Sequence, residues 1–213
     1  MNTASTISPR RSRGFSLIEM LVALTITSTL LTAALAALDA SFKSYKHTTD
    51  GASTHVVSRI TMHRVLTMIR TGSEFAPYPI DPLDNAQNPV TSTYIEFHGY
   101  VPPTEPDLTR IIRLERRDSG RQVGGAPLYE LWFVQEDYDG ESLTGRQERP
   151  LIRNLRELTF LLEYDVGPRL RRATVDMTVR PDDTDQATVY TTLQSPTIRF
   201  VSSVSPRRLE EVE

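Results

Sequence analysis

Residues 15–38 read FSLIEMLVALTITSTLLTAALAAL, and this stretch decides how the rest of the 213-residue chain is interpreted. Its one charged side chain is Glu19, and its other polar residues carry small hydroxyl groups. An α-helix rises about 1.5 Å per residue, so this stretch spans roughly 36 Å, enough to cross a bilayer core of about 30 Å. Threonine and serine are compatible with lipid because their hydroxyl groups can donate to a carbonyl one turn earlier. The stretch predicts a membrane-spanning helix.

The residues before this stretch set its orientation. Residues 1–14 are polar and contain Arg10, Arg11 and Arg13 but no acid. Because positive residues beside a span remain cytoplasmic, we expect the N-terminus inside and the rest exported. A secretory signal peptide is the alternative, but its apolar region is about 7–15 residues long. The run here is longer, although residues 33–37 resemble a small-residue cleavage site.

The helical pattern continues beyond the apolar stretch. No proline occurs between Pro9 and Pro77, and Gly51 is the one glycine within residues 42–70. One apolar face recurs at helical spacing and consists of Met62, Val65, Leu66 and Ile69. The opposite side consists of His63, Thr67 and Arg70. This periodicity predicts one helix over about residues 15–70, with Gly51 as a point of interruption and Gly72 as the stop.

A different pattern follows the helix. Residues 73–93 contain four prolines and are predicted to be a loop. Alternating apolar and polar residues then predict strands around 94–98, 112–115, 128–134, 158–164, 173–179 and 198–200. An antiparallel β domain of this kind needs an apolar cover, which the helix around residues 56–69 can supply. The fold class predicted is therefore α+β.

The domain organisation follows from these patterns. We expect a leader at 1–14, a transmembrane segment at 15–38, a continuing helix at 39–72, an antiparallel β domain at 73–205 and a charged tail at 206–213.

Composition and charge restrict the function. The chain has no cysteine, which excludes disulfides and thiolate metal sites. Without residues 1–14 it carries 21 basic and 27 acidic residues, a net charge of −6. Such a chain has no general attraction for polyanions, so no nucleic-acid partner is expected. A local arginine cluster is interpreted as a solvated strand and turn; it consists of Arg110, Arg113, Arg116, Arg117 and Arg121.

The candidate metal ligands do not form a recognisable motif. His47, His55 and His63 are eight residues apart, and eight helical residues rotate by about 80°, so they do not share one face. Alternating acids beside glycine can bind calcium, but they also form plain hairpin turns. Two acidic loops leave calcium binding open as an alternative to a plain turn. They are Glu136, Asp137, Asp139, Gly140 and Glu141, and Asp182, Asp183 and Asp185. No cofactor is expected.

Residues 13–24, RGFSLIEMLVAL, resemble the cleavage and methylation motif of type IV pilins and type II secretion pseudopilins. The resemblance implies that a prepilin peptidase cuts between Gly14 and Phe15 and methylates the new amine of Phe15. Glu19 would then be the fifth residue of the mature chain. In this family that carboxylate pairs with the N-terminal ammonium of a neighbouring subunit. Such pairing would explain an acid that costs several kcal/mol in lipid when unpaired.

The resemblance beyond residue 38 is architectural. A long helix followed by a large antiparallel β domain is similar to minor pseudopilins of the J-type or PilW-like kind. The partners implied are prepilin peptidase, other minor and major pilins or pseudopilins, and the inner membrane, with the globular domain in the periplasm and no catalysis by this chain. Secretion, pilus and DNA-uptake machines all use this anchor.

One alternative remains open. A signal-anchored periplasmic binding protein or hydrolase with a fortuitous motif would have a helix ending near residue 38 and a pocket of convergent polar groups.

Overall fold

The structure is a computed structural model that describes residues 14–102, 104–105, 107–123, 125–167, 169–181 and 197–207. Three predicted features lie wholly or largely outside the described residues. They are the arginine-containing leader, the acidic group from Asp182 to Asp185, and the tail from residue 208 onward.

A single helix, α1, covers Leu17–Thr71. It continues through Gly51, so the interruption predicted there is absent from the described chain. The chain divides into two compact units with a boundary between His47 and Thr48. The last 24 residues of α1 therefore belong to the same compact unit as the sheet.

The part of the chain described after the helix contains eight strands in one antiparallel sheet. They are β1 (Ser73–Ala76), β2 (Val90–Ser92), β3 (Tyr94–His98), β4 (Leu108–Val123), β5 (Ala126–Asp139), β6 (Ser142–Asp165), β7 (Arg169–Val179) and β8 (Ile198–Val204). Their order is β1-β3-β4-β5-β6-β7-β8, and β2 pairs with β6. The predicted α+β class, with a long N-terminal helix packed on an antiparallel sheet, is confirmed.

The predicted loop at residues 73–93 is wrong in part, because it contains β1 and β2. Both strands are short and lie beside prolines, which hid them in the sequence pattern. Glu136, Asp137 and Asp139 were also expected in a loop, but they lie in β5. Their carboxylates are compatible with a strand because arginines lie on the neighbouring strands.

The core forms where the last part of α1 meets the sheet. Met62, Val65 and Ile69 are buried, whereas His63, Thr67 and Arg70 are exposed, which confirms the predicted helix face. The sheet contributes fully buried side chains from β3, β4, β6 and β7; among them are Ile95, Phe97, Leu114, Leu158, Phe160, Leu162 and Met177. Burial of each large apolar side chain stabilises the fold by about 1.5–3 kcal/mol.

Strand β6 changes its partner midway. Its first part pairs with β5, from Ser142 to Leu155, and its second part pairs with β7. Asn154 lies at this change, with a φ of 58°, a left-handed conformation that asparagine tolerates better than most residues. Its carbonyl accepts a hydrogen bond from the Arg180 backbone N–H at 3.0 Å. β2 then pairs with residues 160–162 of β6.

Candidate functional site

The three residues that the sequence assigned to processing and assembly lie at the start of α1 or just before it. Gly14 and Phe15 precede the helix, and Glu19 lies in its first turn. A Cβ at Gly14 would meet nothing within 4 Å, and Phe15 is 81% exposed. The bond between Gly14 and Phe15 is thus in non-helical, accessible chain, as a peptidase substrate requires.

Glu19 also has a local role that was not predicted. Its Oε2 accepts a hydrogen bond from the Ser16 backbone N–H at 3.1 Å. The Ser16 carbonyl accepts the Met20 N–H at 3.2 Å. This is one half of a capping box, and a carboxylate in the first turn also favours the helix dipole. The spacing Ser16-x-x-Glu19 was the sequence signal for it.

The hydroxyl groups of the apolar segment are satisfied within the helix. Thr27 Oγ1 donates to the Ala23 carbonyl at 2.7 Å, and Thr32 Oγ1 donates to the Ser28 carbonyl at 2.8 Å. Thr25, Ser28, Thr29 and Ser41 make equivalent bonds. The helix is long and apolar enough to cross a membrane, and none of its most apolar stretch is buried within the protein. This segment therefore suits a lipid environment.

Arginines and carboxylates alternate across strands β3 to β6 on the sheet face opposite Leu114. Arg113 contacts Glu96 at 2.6 Å, and Arg117 contacts Glu148 at 2.8 Å. The Arg117 guanidinium also lies 4.6 Å from the centre of the Trp132 ring. Strand β4 carries the whole arginine cluster, without the predicted turn inside it. Because the contacts are with acids, this face offers little to a polyanion.

Two carboxyl groups of the sheet respond to neighbouring arginines. Glu148 lies on this charged face, whereas Asp137 pairs with Arg110 on the face that also carries Leu114. The hydrogen bond from Arg110 Nε, at 2.7 Å, lowers the pKa of Asp137. Hydrogen bonds from Arg117 and then Arg146 lower the pKa of Glu148. Ion pairs at this level of exposure are screened by water and contribute little to stability. These ion pairs thus keep the sheet compatible with water more than they stabilise the fold.

A groove of about 510 Å³ lies between α1 and the part of β6 near Asn154, where β6 changes its pairing partner. Its lining includes Ser58, Asn154 and Arg180, and the Ser58 Oγ is buried without a hydrogen-bond partner among the described residues. A serine nucleophile needs an adjacent base. The described lining contains no histidine, carboxylate, lysine or tyrosine, so the groove does not assemble such a pair.

The histidines are separated in the structure. His55 lies against Phe200, with ring centroids 5.3 Å apart, and His98 Nδ1 lies 3.2 Å from Glu74 Oε2. His63 is exposed, and the side chain of His47 lies outside the description. No group of three or more potential metal ligands occurs in the described chain.

Comparison with known families identifies one match. Residues 9–35 match the family model described as the prokaryotic N-terminal methylation motif, and the matched range includes Gly14, Phe15 and Glu19. The match supports a type IV pilin-like or pseudopilin substrate of prepilin peptidase and favours a structural subunit. No curated protein and no solved structure matches the chain.

Proposed function

We propose that this protein is a minor pseudopilin or minor pilin, of the J-type or PilW-like kind. It is a structural subunit of a periplasmic type II secretion or type IV pilus-like filament. The single observation that carries the proposal is the Gly14-Phe15 junction and Glu19 at the head of an apolar, unburied helix. The large antiparallel domain supports the minor-subunit assignment.

In this proposal the carboxylate of Glu19, in the first turn of α1, has two successive partners. Before assembly, Glu19 accepts from the Ser16 N–H, so its carboxylate has a partner within its own chain. After prepilin peptidase cuts between Gly14 and Phe15, the new amine lies one residue before Ser16. A neighbouring subunit can then bring its own N-terminal ammonium to Glu19. A charge pair in lipid is far less costly than either charge alone, so it would fix the register between neighbouring helices.

The membrane segment and the β domain have separate roles in this proposal. The helix anchors the subunit in the inner membrane as a single pass, with its N-terminus cytoplasmic. The β domain lies in the periplasm, contacts other minor and major subunits and helps to initiate assembly. Helix bundling and domain contacts do this without catalysis.

The proposal is tested by the intact mass of the full chain extracted from membranes, with and without active prepilin peptidase. Loss of residues 1–14 and gain of one methyl group, only with active peptidase, is the expected result. An uncut chain contradicts the proposal. A cut near Ala37 contradicts it as well, and would indicate a signal peptide.

A further inference from the structure

The segment between β1 and β2, residues 77–89, exposes three large apolar side chains within six positions. Ile80 is 97% exposed, Leu83 is 74% exposed and Tyr78 is 62% exposed. Single exposed apolar residues are common on soluble domains. Three within six positions of one short connection are more than such scattered residues, and exposed apolar groups of this density mark contact sites. We refer to residues 77–89 as the 77–89 loop.

The loop is fixed to the domain by hydrogen bonds to β6. The Tyr164 hydroxyl donates to the Pro77 carbonyl at 2.8 Å, and the Tyr164 backbone N–H donates to Asn88 Oδ1 at 3.0 Å. Asn88 Nδ2 donates to the carbonyls of Pro82 and Tyr164. Burial raises the pKa of Tyr164, so its hydroxyl remains a protonated donor. Both ends of the loop are therefore attached to the core.

The loop is also bonded within itself. Asp81 Oδ1 accepts the Leu83 N–H at 2.9 Å, and Asp84 Oδ1 accepts the Ala86 N–H at 2.9 Å. Gln87 Nε2 donates to Asp84 Oδ2 at 2.9 Å. Ordering a free loop costs conformational entropy, and a loop already held in one conformation avoids much of that cost when it binds.

The charge around the loop indicates which kind of surface it can bind. Residues 71–109 contain six acids and no lysine or arginine, and Asp81 and Asp84 lie within the loop itself. Anionic lipid headgroups repel such a surface, which disfavours the membrane. A protein pocket bordered by cations would complement it. Four arginines on the sheet of this chain already contact carboxylates and are less available to the loop of a second copy, which favours a different chain as the partner; they are Arg113, Arg117, Arg172 and Arg199.

We propose that the 77–89 loop is a docking element that inserts Tyr78, Ile80 and Leu83 into an apolar pocket bordered by lysine or arginine on a different subunit of the same assembly. This inference rests on the proposed function, because it requires a neighbouring subunit. It assigns the contact to one loop of the domain and states the chemistry of the surface opposite.

The test uses the full chain in membranes of cells that contain its peptidase and the other pilin-like proteins. A benzophenone side chain replaces Ile80 in one sample and Leu143, an exposed apolar residue at the start of β6, in the control. After irradiation we expect the residue-80 probe, and not the residue-143 probe, to crosslink to a different protein with a processed prepilin-type N-terminus. The attachment point should lie among apolar residues beside lysine or arginine.

A second variant separates docking from folding. With the probe at Tyr78, Ile80→Asp should reduce the crosslink by about thirtyfold, as expected for loss of a central contact residue. Because Ile80 is almost fully exposed, the urea midpoint of Trp132 fluorescence should not change. Crosslinks to lipid, to a second copy, or equally from residue 143 would overturn the docking proposal. Intact mass of the same sample reports processing, so an uncut chain contradicts the proposed function, whereas a cut chain without a selective crosslink contradicts docking alone.

Discussion

One continuous helix is used in two different ways along its length. Residues 17–47 leave their large apolar side chains exposed, whereas residues 48–71 bury Met62, Val65 and Ile69 against the sheet. The backbone geometry is the same in both parts. What differs is the pattern of side chains. Residues 17–38 are apolar on nearly all sides, residues 39–47 already carry Asp39, Lys43 and Lys46, and residues 62–69 are apolar on one face. The contrast fits two environments, lipid for residues 17–38 and a protein core for the buried face of residues 62–69.

Truncating a buried residue of α1 should change the stability of the β domain most, and truncating an exposed residue of the first part provides the comparison. Ile69→Ala removes a fully buried side chain and should destabilise the β domain by about 2–5 kcal/mol. Leu31→Ala removes an exposed side chain from the first part and should leave domain stability unchanged. Urea unfolding in detergent, followed by the single tryptophan, Trp132, measures both. Equal effects of the two substitutions would contradict the distinction between an exposed first part and a core-packed second part of α1.

Two glycines provide a second comparison, of smaller size. A Cβ at Gly72 would stand 3.0 Å from Phe97 Cγ and closer still to Cδ2, whereas nothing lies within 4 Å at Gly51. Gly72→Ala should therefore destabilise the domain by about 1–3 kcal/mol through overpacking. Gly51→Ala should stabilise α1 by about 0.5–1 kcal/mol, because alanine loses less conformational freedom in a helix. The same urea unfolding measures both, and opposite signs are the expected result. A loss of stability with Gly51→Ala would indicate that the helix is not continuous there.

The smallest effect concerns two ion-paired carboxyl groups of the sheet. The pKa values of Asp137 and Glu148 are lowered in the folded protein, from ordinary values of 3.8 and 4.5. Their contribution to stability is therefore present above those ordinary values and is lost as the pH falls through the lowered ones. Arg110→Met removes the main cause of the lowered pKa of Asp137. Stability should therefore fall less steeply on acidification, with a difference of about 1 kcal/mol or less.

The pH comparison is made by measuring urea midpoints from about pH 5 down to pH 2, where a carboxyl with a lowered pKa loses its contribution. Arg171→Met, at an exposed arginine on β7, is the matched control and should keep the wild-type slope. An unchanged slope in Arg110→Met would contradict the role assigned to its bond with Asp137.

The features that the sequence predicted correctly are local. Helical spacing marked the buried face of residues 62–69, and the N-terminal methylation motif lies within one short stretch, residues 9–35. Period-2 alternation marked the strand at residues 173–179 because one of its faces is buried. In each case the signal needs no knowledge of what lies elsewhere in the chain.

The features that were missed depend on distant partners. The polar first half of β6 is a strand because its arginine and glutamate residues meet opposite charges on β4 and β5. The 77–89 loop reads as ordinary loop in the sequence, but its anchor Tyr164 is 87 residues from Pro77. Short strands such as β1 and β2 carry too few residues to show a period.

The contrast between the two parts of α1 is tested most directly by thiol labelling, because the chain has no cysteine. Single variants Ser28→Cys and Thr67→Cys, both at exposed helix positions, are treated with a membrane-impermeant maleimide in intact spheroplasts. We predict rapid labelling at residue 67 and protection at residue 28 that is lost in denaturant. Equal labelling of the two positions, or protection at residue 67, would contradict a membrane-embedded first part and a periplasmic domain.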